Sequence, residues 1–525
     1  TLSKGGANNL ILTNALTGRL TLTASNTVTT FYMTGASNSV VDIADGELYL
    51  NNLGSTTLYS TQGGVINGPG KIRLSTNTSH NYGDNYIASG KTLVINAPIT
   101  GVGGFEMWSG NGTFVLNGAN DFQQNVTIGT SGTISVSKMG NKGSTTSNLG
   151  QGTNITFGTS GARLLYTGAG ESTDRVLNIK TNAVVEHAGT GHLNFKTNLT
   201  ASAGMKTLTL RVASSGTAEF SGILRNDLGT LFVTKEGAGT WTLSATNTYS
   251  GNTAVSAGTL RLAGPSGSLA SSTNITVSAN ATLLLENAAG AVNTNRLRDA
   301  SPITLNGGTL SFSHDGGTSL RETAGALLIG TGASTVEVSQ AADGRTSALL
   351  LAGLSRVGSG TVDFSGAGLG ESDRNRIFIA GQPNGIIGIW ATVNGGDDLA
   401  AYHNDLGIIP ASLSGEYKDI AARGYSVITN SPGATVRIIT EGVDGPIVLS
   451  DNTTAIGTLM QLTTMPATVE VSNKTFRADN LVIPDTRASV TIGTTANEGT
   501  LTPATAGGGL FLVNQGSALL TVNAS

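Results

Sequence analysis

Two segments of this chain repeat one another, and that limits the fold more than any single residue does. Residues 231–264 read LFVTKEGAGTWTLSATNTYSGNTAVSAGTLRLAG. Trp241 and Leu243 alternate with Thr240, Thr242 and Ser244, and Leu260 and Leu262 alternate with Thr259 and Arg261. Alternation with a period of two over so few residues marks short strands that bury one face. Gly237, Gly239, Gly251 and Gly258 separate them, where a sharply turning chain wants positive φ. Residues 110–136 are a worn copy. Gly112-Thr113-Phe114-Val115-Leu116 stands where Gly239-Thr240-Trp241-Thr242-Leu243 stands; Asn120 and Phe122 match Asn247 and Tyr249; Gly132-Thr133-Ile134 matches Gly258-Thr259-Leu260. A repeated strand–turn–strand unit is the mark of a solenoid, in which each coil is buried only by its neighbours.

The predicted fold class is therefore all-β, a parallel β-helix along most of the chain. Strand-like triplets recur throughout, from Leu10-Ile11-Leu12 and Leu93-Val94-Ile95 to Leu510-Phe511-Leu512. No helical pattern is long enough to cover a parallel α/β sheet. The expected inward ladder contains Phe114, Leu116, Trp241, Leu243, Val255, Leu260, Leu262, Ile275 and Val277, and the expected turn glycines are Gly110, Gly112, Gly237, Gly239, Gly251 and Gly258. A repeat of about 19–25 residues predicts roughly two dozen rungs. The rhythm breaks near 395–423, where DDLAAYHND and EYKDIAARG read as short helical turns or a protruding loop. Four regions follow: N-terminal rungs over 1–104, a solenoid with both repeat copies (110–136 and 237–264) over 105–394, an insertion over 395–430, and further rungs over 431–525.

The run GAGTWTLSATNTYSGNTAVSAGTLRL resembles the autotransporter-associated β-strand repeat, also called the passenger-associated transport repeat. Its flanks, SNLGQGTNITF, SPITLNGGTLSF and NGIIGIWATVNGGDDLAAY among them, are similar to segments that surround such repeats. The resemblance implies a right-handed parallel β-helix exported to the bacterial cell surface. It implies no particular ligand.

Composition narrows the function classes. The net charge is −4, with 29 Lys and Arg against 33 Asp and Glu, so no basic footprint for nucleic acid exists. The chain has 73 glycines and only 12% charged residues, yet 38% hydrophobic residues in alternating strands supply a long thin core. No apolar run approaches the 18 to 20 residues or so of a membrane helix. The absence of cysteine excludes disulfides and thiolate metal sites. The first residue is Thr1, without a start methionine or signal peptide, and the C-terminal residues lack the strand pattern of an outer-membrane barrel. An excerpt from a longer parent chain is expected.

No residue pattern points to catalysis, to a cofactor or to a metal. Asp397-Asp398 is the one DD pair and reads as a solvated turn after Gly395-Gly396; Asp84, Glu371 and Asp373 read as loop residues. The histidines His80, His187, His192, His314 and His403 are scattered, and all five read as polar surface residues. On one strand, His187 and His192 would face opposite ways, which argues against a shared metal. Trp108, Trp241 and Trp390 read as core residues, with a sugar platform as the alternative. The leading reading is a non-enzymatic extracellular structural protein, a rod in a fibre, sheath or coat that stacks or self-associates. Its exposed Thr, Ser and Asn faces would suit lateral association or weak glycan contact. The alternatives are an adhesin stalk that binds host or glycan surfaces with 395–423 as its tip, and, third, a polysaccharide-cleaving enzyme, which would need a clustered carboxylate groove.

Overall fold

The computed structural model describes residues 10–12, 19–34, 39–51, 57–75, 82–213, 216–288, 290–396, 398–414, 417–484, 486–506, 509–514 and 517–525. His80 and Asp397 lie outside these, and Asp84 is described only as backbone, in the strand Tyr82–Ile87. The chain divides into two compact units, residues 1–310 with 322–326, and residues 311–321 with 327–525.

In the first unit a coil is three short strands joined by corners. Asn154–Phe157, Ala162–Tyr166 and Glu171–Thr173 form one coil, and Val176–Ile179 then lies parallel and in register on Asn154–Phe157. Stacked this way, each coil satisfies its backbone groups on the coils before and after it. Among the described residues the fold is a parallel β-solenoid of about 18 turns. That is fewer than two dozen because the coils are unequal. Trp241 pairs with Leu260, 19 residues on, but Ile134 pairs with Leu164, 30 residues on, across an intervening loop.

Alternation decides which side chains enter the core. Ala218, Trp241, Leu260 and Leu283 occupy one register line, and Phe220, Leu243, Leu262 and Leu285 the next. All eight are fully buried, as are Phe114, Leu116, Val255, Ile275 and Val277. The repeat asparagines are buried too, and each ties three coils together. Asn120 Oδ1 accepts the Ile99 N–H at 2.7 Å while its Nδ2 donates to the Asn148 carbonyl at 2.6 Å. Asn247 does the same between Leu224 N–H (3.0 Å) and the Ser268 carbonyl (3.1 Å). Among the repeat glycines, Gly110, Gly237 and Gly258 have positive φ; Gly112, Gly239 and Gly251 do not. At Gly251 glycine answers to space instead, since a Cβ there would stand 2.2 Å from the Leu231 carbonyl oxygen.

Two buried arginines hold the loops. Arg175 donates to the carbonyls of Met139 (3.0 Å), Asn141 (3.1 Å), Gly150 (2.5 Å) and Gly152, and to Ser147 Oγ (3.1 Å). Arg296 donates to the carbonyls of Gly267 (2.7 Å) and Gly264 (3.0 Å) and to Asn287 Oδ1. Burial lowers both guanidinium pKa values to about 10. The side chains stay cationic at neutral pH and use that charge on carbonyl dipoles that water cannot reach.

The second unit starts with the same three-sided coil. Leu327–Ile329 pairs with Leu354–Arg356, Ala333–Gln340 with Thr361–Ser365, and Ser347–Leu351 with Asn375–Ile379. The coil then stops. Ala391–Val393, Asp398–His403 and Gly407–Pro410 form an antiparallel meander, followed by a three-residue 3-10 turn, Ala411–Leu413. The interruption is thus mostly strand, not helical turns or a free loop. Leu399, Ala401 and Ile409 are buried with Met460 and Val482 in a common apolar cluster, and alternate apolar residues in DLAAYH read as helix only when that partner surface is unseen. A second coiled block then runs from Tyr417–Ala421 to Leu520–Val522, in one six-stranded and one five-stranded parallel sheet.

Candidate functional site

The residues singled out in the sequence do not assemble into one site. Asp398 is not in a solvated turn but buried, and every one of its oxygens is taken. Oδ1 accepts from Tyr417 Oη (2.5 Å) and Leu399 N–H (2.8 Å); Oδ2 accepts from Ser412 N–H (3.0 Å) and lies 3.5 Å from Arg437 Nη1. Arg437 in turn grips Asp419 at 2.7 Å and 2.8 Å, and its guanidinium covers the Tyr417 ring at 3.9 Å. Burial, then the Asp398 carboxylate, pushes the Tyr417 hydroxyl well above its ordinary range, so it stays a donor. This network fastens the meander to the second coiled block.

Two of the histidines are corner fastenings in the interior, not surface residues. His187 and His314 are buried. In each the Nδ1 accepts an N–H two residues on (Gly189 at 3.2 Å, Gly316 at 3.3 Å), and Nε2 faces a carbonyl four residues on (Gly191 at 2.6 Å, Thr318 at 3.1 Å). His192 is exposed beside Glu219 at 3.1 Å, and His403 Nδ1 accepts the Asp405 N–H. Asp373 is exposed and paired with Arg376, and Glu371 is exposed. Among the described residues no three His, Cys, Asp or Glu side chains lie close enough to share a metal ion.

The tryptophans separate. Trp241 is core, Trp108 is 54% exposed, and Trp390 is half-buried in the wall of a cleft. Trp108 sits where the pairing of Tyr82–Ile87 with Gly104–Ser109 slips by a residue, which turns it outward.

The Trp390 cleft encloses about 640 Å³. Its near wall is the GIIGIW segment that precedes the meander; its far wall is the second coiled block. Thr435, Thr458 and Asn480 follow one another in register there, one per coil. Gly388 lets the indole fold over the near wall, since a Cβ there would stand 2.6 Å from Trp390 Nε1. Gly433 and Gly457 leave the far wall bare of side chains at that height. Arg356 lies 5.9 Å from the indole centroid and is tied back to the Gly360 and Ser359 carbonyls at 2.9 Å each. Asp479 is pinned by Thr505 N–H and Oγ1, both at 2.8 Å, and Asn480 Nδ2 donates to Gly457 O (3.2 Å) and Thr458 Oγ1 (3.1 Å). A second cleft of about 370 Å³ shares Arg356, Ile389 and Trp390 with the first. Of these residues, sequence reading singled out only Trp390. The others lie up to 124 positions apart (356 to 480), and no local pattern joins them.

Residues 109–136 and 233–262 match the passenger-associated-transport-repeat family. Over 279 residues the chain is 30% identical to the adhesin BmaC autotransporter of Brucella suis biovar 1 (strain 1330). This is a passenger-like chain carrying autotransporter repeats. It is a secreted, cell-surface chain. The aligned part makes up 48% of this passenger-like chain but only 7% of that relative's length. No solved structure matches it.

Proposed function

We propose that this chain is a non-enzymatic segment of a surface adhesin, a coiled scaffold that carries a contact site at the break in its coil. The observation that carries this reading is the Trp390 cleft, built where the antiparallel meander replaces a regular coil. A regular solenoid face gives a ligand only repeating strand surface, whereas the break creates concavity, and concavity is what binding sites use. The similarity to an adhesin autotransporter supports the same reading. The buried carboxylate of Asp398 supports a structural role, because all its acceptor positions are occupied from within the protein.

Self-association into a fibre is the second reading. Met205 and Leu228, 76% and 74% exposed, line one shallow depression and provide a small apolar contact between copies. One preparation tests both. The chain is displayed on a non-adherent bacterium to measure attachment to host cells, and the purified chain is measured by light scattering across concentration. Attachment above an undisplayed control is expected, and its absence would sink the adhesin reading. A mass independent of concentration would remove the fibre reading. Deleting 395–423 is a poor variant, since it would bare Met460 and Val482.

A further inference from the structure

We infer that the Trp390 cleft binds a linear glycan, with the indole as the stacking platform for a sugar ring. The inference rests on the adhesin reading for its biological use, but the chemistry of the cleft stands by itself.

The first observation is the mixture of groups. The half-buried indole, Ile386 and Ile389 line the cleft together with Asn384, Asp479 and Asn480. Sugar rings have an apolar C–H face that packs on an aromatic ring and a rim of hydroxyls that need both donors and acceptors. Amide and carboxylate groups supply both. Trp390 Nε1 and Asn480 Oδ1 have no hydrogen-bond partner among the described residues and are available to a ligand.

The second observation is spacing. Thr435, Thr458 and Asn480 form a row with one residue per coil, so its step is the strand spacing of about 4.8 Å. That step is comparable to the advance of a polysaccharide per sugar unit. Thr435 and Thr458 are buried and Thr458 Oγ1 already accepts from Asn480 Nδ2, so the row forms a polar floor at this pitch with Asn480 as its accessible end. It does not offer a peptide a free strand edge, because both neighbours of the Thr453–Gln461 strand are already paired.

The third is continuity. Trp390, Ile389 and Arg356 are shared by the 640 Å³ cleft and the adjoining 370 Å³ cleft. A ligand stacked on the indole has room on either side of it, which favours a chain over a single small molecule. Arg356 is the cation at this shared point. Two of its N–H groups are spent on backbone carbonyls, and the rest of the guanidinium remains for a uronate or sulfate group.

The test uses the full chain and three probes, maltohexaose, a hexamer of N-acetylglucosamine and a hyaluronan hexasaccharide, followed by tryptophan fluorescence and calorimetry. Saturable binding of at least one probe is expected. Trp390→Ala should weaken it by at least about tenfold, and Asn480→Ala by several-fold, with circular dichroism and melting unchanged. Preference for hyaluronan, reduced by Arg356→Gln, would assign an acidic glycan. No saturation by any probe at about 1 mM, or equal binding by Trp390→Ala, overturns the inference. Attachment of displaying cells separates the two readings. Attachment that survives Trp390→Ala and is abolished by protease treatment of the host cell leaves the adhesin reading standing and replaces the glycan with a protein ligand. Probe binding without attachment keeps the glycan site and removes the adhesin reading.

Discussion

Glu322 should make the first unit more stable in mild acid than at neutral pH. Its side chain is fully buried. Oε1 accepts the N–H groups of Arg296 (2.8 Å) and Leu297 (2.9 Å), while Oε2 has no hydrogen-bond partner among the described residues. Burial raises its pKa from 4.5 to about 7, against the pull of those two N–H groups and of the Arg296 charge. The folded state therefore holds a proton that the unfolded state has already lost between pH 4.5 and pH 7. Where the folded state binds more protons, stability falls as pH rises. The full effect is present below pH 4.5 and is lost through pH 7. At 1.36 kcal/mol per pKa unit, the 2.5-unit difference amounts to about 3 kcal/mol. Hydrogen exchange at the Arg296 and Leu297 amides reads the local opening free energy across this range. In the native protein it should drop by about 3 kcal/mol from pH 4.5 to pH 7.5. In Glu322→Gln, which keeps the acceptor oxygen, the drop should be absent. Parallel curves for the two proteins would refute the reasoning.

Arg175→Met removes a buried cation that serves at least four carbonyl oxygens, and leaving those acceptors dry should cost about 3 kcal/mol or more, read as a lowered urea midpoint and as new protease cleavage within 138–153. Trp241 is fully buried, yet its indole N–H has no hydrogen-bond partner among the described residues. Trp241→Phe should consequently cost no more than about 1–2 kcal/mol, because it deletes an orphaned donor along with some volume, whereas Trp241→Asp should cost upward of about 3 kcal/mol. Equal melting temperatures for these two variants would contradict the packing described.

The coil was legible because its cause is local. Alternation at Trp241-Thr242-Leu243 and Leu260-Arg261-Leu262 fixes which side faces inward, and the second copy at 110–136 shows that the pattern stacks. What was illegible depends on distant partners. His187 and His314 look like polar surface residues until the corner carbonyls they bond are seen. Asp398 looks like a turn residue until Tyr417 and Arg437 close over it. Lys235, which was not singled out in the sequence, occupies the inward line between Leu210 and Val255 and donates to the carbonyls of Glu236, Gly237 and Ala257. The cleft was hidden for the same reason. Arg356, Trp390 and Asn480 come from different coils, and only the register of the sheets brings them together.

The arginine clamps also set an order of events. Arg175 lies 36 residues after Met139 and 23 after Gly152, so the loop between them cannot be locked until the next coil has arrived. Arg296 stands in the same relation to Gly264, 32 residues earlier. A chain threaded out of a cell from its N-terminal end would always have its newest loop unlatched. One threaded from the other end would present each latch before the loop it closes.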